Sequence, residues 1–182
     1  MVVKAHQRAN IIIRSFTSHN ISLLLRAYIV YVRPLVEYNS VVWSPRFKYD
    51  IETVERVQRR FTKRLPGFQH LSYEDRLSRL HLPSLELRRI HADLVMCYKI
   101  IFGYMKVDVN ELFELNNVKV TRGHAYSLRK RFCRSSARSS FFADRVINIW
   151  NFLPPNTVNF NSLASFKNTI KSVDFTRFLK CF

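Results

Sequence analysis

Arg56, Arg59, Arg60, Lys63 and Arg64 fall within nine positions of the stretch VERVQRRFTKRLPG, Val54–Gly67. Guanidinium and ammonium groups at that density do one kind of chemistry well: they neutralise phosphates. Ordinary helix electrostatics accounts for part of the cluster. Glu52 and Glu55 precede Arg56 and Arg59 by four residues, the favourable order for ion pairs on a helix. Acids crowd the first turns and bases the last, which matches the helix dipole. Arg60, Lys63 and Arg64 have no acid four residues earlier. Three uncompensated cations on one face repel one another unless a polyanion neutralises them, and phosphate contact is the stronger reading of Arg56, Arg60, Lys63 and Arg64.

A second basic stretch, TRGHAYSLRKRFCRSSAR, spans Thr121–Arg138 and holds no acid. Arg122, Arg129, Lys130, Arg131 and Arg134 are candidate phosphate ligands, and Tyr126 and Phe132 beside them are candidates for stacking on bases. The competing reading is a solvated surface loop. Neither stretch has a spacing that specifies sequence readout.

Catalytic patterns are poor by comparison. Two-metal nucleotidyl transfer needs carboxylates that converge, yet Asp50, Asp75, Asp93, Asp108, Asp144 and Asp174 stand apart. The adjacent pair Glu74-Asp75 sits where the first turn of a helix is expected, a position that favours acids for capping and dipole reasons. There is no HExxH, P-loop or GxGxxG. The expectation is a non-enzymatic chain without metal, cofactor or small-molecule substrate.

Composition sets the frame for these clusters. The chain has 182 residues, 47% hydrophobic and 14% aromatic, enough for a real core. Only three glycines are present, which favours helices over sheets and phosphate-cradling loops. Thirty basic against thirteen acidic residues leave a net charge of +17, a field that favours RNA or DNA as partner. An anionic membrane surface is the main rival. Cys97, Cys133 and Cys181 are scattered and odd in number, which points to a reducing, intracellular compartment (cytoplasm or nucleus). The most apolar segment, Ile21–Trp43, carries Arg26, Arg33, Pro34 and Glu37, so no membrane span is expected.

Periodicity predicts a mainly α fold, an irregular bundle of about six to eight helices. Helices are expected over Lys4–Phe16, Ile21–Val32 with Leu24, Leu25, Tyr28 and Val32 inward, and Leu35–Trp43 as a continuation past Pro34. Asp50 is the expected cap of Ile51–Leu65, whose stripe is Ile51, Val54, Phe61 and Leu65; Pro66-Gly67 stops it. Short helices are expected at Ser72–Leu80 and Asp108–Leu115. Between them Leu85–Phe102, with Ser84 as N-cap and Gly103 as stop, forms the longest. A basic loop or short β-hairpin is expected near 118–135. Phe141–Leu153 is helical, with Val146, Trp150 and Leu153 on one stripe. The last helix covers Leu163–Phe178, with Phe166, Ile170, Val173 and Phe178 inward. Both tryptophans, Trp43 and Trp150, are read as core. The natural divisions fall near Pro66 and Asn116, giving segments 1–66 and 67–182 or one continuous domain.

Taken in order, AYIVYVRPLVEYNSVVWSP, DIETVERVQRRFTKRLPG, LSYEDRLSRLHLPSLELRRIHADLVMCYKI, TRGH, and FFADRVINIWNFLP with a later helix containing SFK resemble the C-terminal part of non-LTR (LINE-type) retrotransposon reverse transcriptases, of the jockey and chicken-repeat kind. The resemblance runs from about Lys4 to Ile170. It implies a region after the palm: a thumb-like helical segment and the part downstream of the thumb, which hold template and primer. The family's Tyr-x-Asp-Asp catalytic motif lies upstream of this region and is absent here, so no catalytic residue carries over. The implied function is nonspecific binding of nucleic acid, with the remainder of a reverse transcriptase as a further partner. The alternative is a helical scaffold that docks on a polymerase or another protein without any nucleic-acid role.

Overall fold

A computed structural model of the chain describes residues 1–16, 20–116, 123–132, 135 and 137–181. It is mainly helical: α1 (Val2–Ser15), α2 (Ile21–Tyr31), α3 (Arg33–Glu37), α4 (Lys48–Lys63), α5 (Tyr73–Leu80), α6 (Leu85–Ile101), α7 (Val109–Leu112), α8 (Phe142–Asn151) and α9 (Leu163–Thr169). Short 3-10 turns occupy Arg138–Ser140, Ile170–Ser172 and Thr176–Phe178. β structure among the described residues is limited to one antiparallel bridge, Leu115 to Leu128. No helix among them is long and apolar enough to cross a membrane.

The chain forms two compact units. The first takes in 1–40, 45–88 and Cys181; the second takes in 41–44 and 89–180. Pro66 lies inside the first unit and Asn116 inside the second.

In the first unit the apolar faces of α1, α2 and α4 meet. Ala5, Ala9 and Ile12 bury against Leu24, Tyr28 and Val32 and against Ile51, Val54, Phe61 and Leu65. Tyr28 stacks on Phe61 with ring centroids 4.6 Å apart. Side chains cap two of these helices: Asn20 accepts from the N–H groups of Ser22 and Leu23, and Ser72 from that of Asp75. Three local expectations need correction. The helix after Pro34 stops at Glu37, because Asn39 adopts a left-handed conformation (φ 54°) that Asn tolerates better than most residues. Asp50 does not cap α4, which begins two residues earlier at Lys48, so the carboxylate stands in the first turn instead. Glu55 does not pair with Arg59. It is buried, and accepts from the Tyr73 hydroxyl and from the backbone N–H groups of Leu85 and Glu86. It therefore caps α6 across the fold alongside Ser84, whose hydroxyl accepts from Leu87 N–H. Burial raises the Glu55 carboxyl above its ordinary range, outweighing the three hydrogen bonds that favour the carboxylate.

The second unit is built around Trp150, which has no exposed surface. Tyr98, Phe160 and Phe166 pack together around it, and Tyr98 stacks on Phe166 at 4.6 Å. Of the basic loop or short β-hairpin expected near 118–135, the described residues show one antiparallel bridge, Leu115 to Leu128, and no strand. Asn116 N–H donates to Ser127 O, Arg129 N–H to Glu114 O, and the Asn151 amide makes both backbone bonds of Leu128. The last helix is shorter than predicted: α9 ends at Thr169 and 3-10 turns carry on. Phe166 and Ile170 are buried as expected; Phe175 is buried, whereas Val173 and Phe178 are half-buried. Trp43 is only half-buried, with the Arg89 guanidinium 4.2 Å over its ring.

His124 ties the segment 123–132 to this core. Its Nδ1 accepts from Tyr126 N–H at 3.2 Å, so Nε2 carries the proton that Trp150 O accepts at 2.8 Å. Burial lowers its pKa below 6.5, outweighing the Trp150 carbonyl. The folded state thus excludes a second proton that the unfolded chain accepts. Stability is fully present above pH 6.5 and is lost as pH falls through it. The urea midpoint is expected to drop between pH 7.5 and 5.5, and His124→Asn to flatten that drop.

Candidate nucleic-acid interface

One side of α4 builds the core and the other faces solvent. Arg56, Arg60, Lys63 and Arg64 are all exposed. No carboxylate lies within ion-pair distance of any of them among the described residues. The acid placed to serve Arg56, Glu52, instead lies 4.0 Å from Lys48. Arg59 is set apart from this group. Its guanidinium lies 4.9 Å over the Tyr73 ring, and Arg76 lies over the same ring at 5.4 Å. Arg76 in turn donates to the Thr62 hydroxyl and to the carbonyls of Leu71 and Arg59.

The end of α4 and the middle of α1 enclose a groove of about 330 Å³. Ala9, Val57 and Phe61 lie beneath it as buried core. Arg60, Lys63 and Arg64 line one side, and His6 and Asn10 the other. Arg64 donates through Nη1 to Asn10 Oδ1. His6 is half-buried, and its pKa is lowered first by burial and then by the positive fields of Arg60 and Arg56. Its imidazole is therefore neutral at pH 7, offering one donor and one acceptor. The sequence marks the three cations but not His6 or Asn10. These lie some fifty residues away, on a helix whose local pattern announces only its buried face.

The second basic stretch is organised differently. Arg129 and Arg131 both reach Glu114, at 2.9 and 3.5 Å. Arg138 reaches Asp144 at 3.5 Å, and Lys130 donates to Asn148. The stretch lacks acids in sequence, but folding supplies them from Glu114 and Asp144. Arg122 and Arg134 lie outside the described residues. Of the two stacking candidates, Tyr126 is engaged edge-on with Phe102 at 4.8 Å, whereas the Phe132 ring is 89% exposed. Asp75 accepts from Ser72 Oγ at 2.7 Å, and Glu74-Asp75 occupy the first turn of α5 as expected. Among the described residues no three His, Cys, Asp or Glu side chains gather as a metal-binding group.

Comparison with known proteins adds one relative. The chain is 31% identical over 105 residues to an uncharacterized protein of Caenorhabditis elegans. That match covers 56% of this chain, and the chain spans about half (53%) of the length of the curated relative. No family model matches the chain. No solved structure matches it.

Proposed function

We propose that this chain is a non-catalytic, nucleic-acid-handling segment, the region after the palm of a LINE-type reverse transcriptase. It binds RNA or DNA without sequence preference, through phosphates. The observation that carries this reading is the end of α4: Arg60, Lys63 and Arg64 are exposed, clustered and unpaired with any carboxylate among the described residues. The cations Arg129, Lys130 and Arg131 contribute second, because a phosphate there competes with Glu114 for two of them. The net charge of +17 and the ordered resemblance support the same reading.

Salt dependence tests it. Each phosphate engaged by a cation releases counterions, so log K is expected to fall with log salt by about 0.7 per contact for single strands and 0.9 for duplexes. Fluorescence anisotropy with short oligonucleotides between 50 and 200 mM salt measures the slope. Flat binding, or none, contradicts the proposal.

A scaffold that docks on the rest of a polymerase is the second reading, favoured by exposed Val3 and Ile11 on α1 and Val30 and Tyr31 on α2. It predicts self-association of the isolated chain and no effect of competing oligonucleotide.

A further inference from the structure

Among the described residues that line the α1–α4 groove, His6 alone can change its charge near neutral pH. Packing sets its place. His6 and Asn10 stand four residues apart on one face of α1, and Arg60 and Arg64 one turn apart at the end of α4. The two pairs meet in register. Arg64 donates to Asn10 Oδ1, and Arg60 is the charge that acts most on His6, with Arg56 next. Lys63 lines the same groove, and no carboxylate does among the described residues. Helices α2 and α3 also pack on α1, but none of the lining residues is theirs. Their charged side chains, Arg26, Arg33 and Glu37, lie outside the groove, and Glu37 is held by Arg33 and Arg88. The His6 ring makes no hydrogen bond among the described residues. A half-buried imidazole beside guanidinium groups, with no acceptor to hold a second proton, stays neutral in the free chain. A phosphate on Arg60 and Arg64 brings that acceptor and reverses the local field.

We propose that His6 is a further phosphate ligand of this site, and that binding draws a proton from solvent onto its ring. The inference rests on the phosphate reading above and goes beyond it. Arginine and lysine keep their charge at any ordinary pH, so contact through them alone is indifferent to pH. With His6 the complex holds more protons than the free chain. Affinity is therefore greatest in mild acid and falls as pH rises through the range in which the bound ring titrates.

Fluorescence anisotropy with oligothymidylate on the full chain, at one salt concentration in phosphate-free buffers, reads the affinity at pH 8 and at pH 6. The unaltered chain is expected to bind about fivefold more tightly at pH 6, the gain for a ring whose proton affinity rises about tenfold beside the phosphate. His6→Gln keeps a polar side chain that cannot take the proton. It is expected to bind equally at the two pH values, at the level of the unaltered chain at pH 8. His6→Lys carries the charge permanently, and is expected to bind at pH 8 at least as tightly as the unaltered chain does at pH 6. Equal affinity of the unaltered chain at both pH values, with its salt dependence retained, overturns the inference while leaving phosphate binding intact. So does a pH dependence that survives in His6→Gln, because it places the proton on another group. Absence of binding at both pH values overturns the nucleic-acid reading itself.

Discussion

Reversing the three cations at the end of α4 (Arg60→Glu, Lys63→Glu and Arg64→Glu together) is expected to reduce single-strand affinity about 500-fold or more at 50 mM salt. The figure is the electrostatic contribution of three phosphate contacts at about 0.7 each in the salt slope, taken from 1 M down to 50 mM. The slope itself becomes shallower by about two units. The fold is not at stake, since all three side chains are exposed and none is in an ion pair among the described residues. Relief of their mutual repulsion leaves the thermal midpoint unchanged or slightly higher. The same reversal at Arg129 and Arg131 is expected to cost less affinity and more stability, because it sets new carboxylates against Glu114. Equal losses from the two variants would show that both clusters carry the binding equally.

Arg145→Met is the substitution expected to damage the fold most. Arg145 grips Asp93 through two bonds of 2.8 and 2.7 Å and also donates to the carbonyls of Ser140 and Val41. Both side chains are largely withdrawn from water, at 15% and 6% exposure. Removing the guanidinium leaves a buried carboxylate without its partner, a change that costs about 3–5 kcal/mol. Even with Arg145 present, burial dominates and raises the Asp93 pKa. The native state therefore holds the Asp93 proton more tightly than the unfolded chain, and this group's contribution to stability falls as pH rises from the ordinary carboxylate range through the raised value. Without Arg145 that dependence steepens, so the variant recovers part of its lost stability towards acid. Urea unfolding at pH 7 and pH 5 measures both effects. Equal loss at the two pH values would mean that lost packing, not the stranded charge, sets the cost.

Features encoded within one helical turn are legible from the residues alone. Ser84 caps α6 as expected, and the stripe Ile51, Val54, Phe61, Leu65 is buried as spaced. Sequence and structure part where a distant partner competes. Spacing pairs Glu55 with Arg59, yet the open N-terminus of α6, thirty residues on, offers it two backbone donors. The stretch around Arg131 is free of acids in sequence; Glu114 reaches it only where the chain pairs at Leu115 and Leu128. The same limit hides half of the groove. Lys63 and Arg64 announce themselves by lacking acids, whereas His6 and Asn10 become part of a site only when α1 packs on α4.

Lysine footprinting tests the central claim most directly. Lys63 lies among the unpaired cations of α4, and Lys130 lies in the second basic stretch, bonded to Asn148. Both are exposed and open to acylation in the free chain. With saturating oligonucleotide, mass spectrometry is expected to show strong protection of Lys63 and weaker protection of Lys130. Undiminished labelling of Lys63 in the bound state would contradict the account.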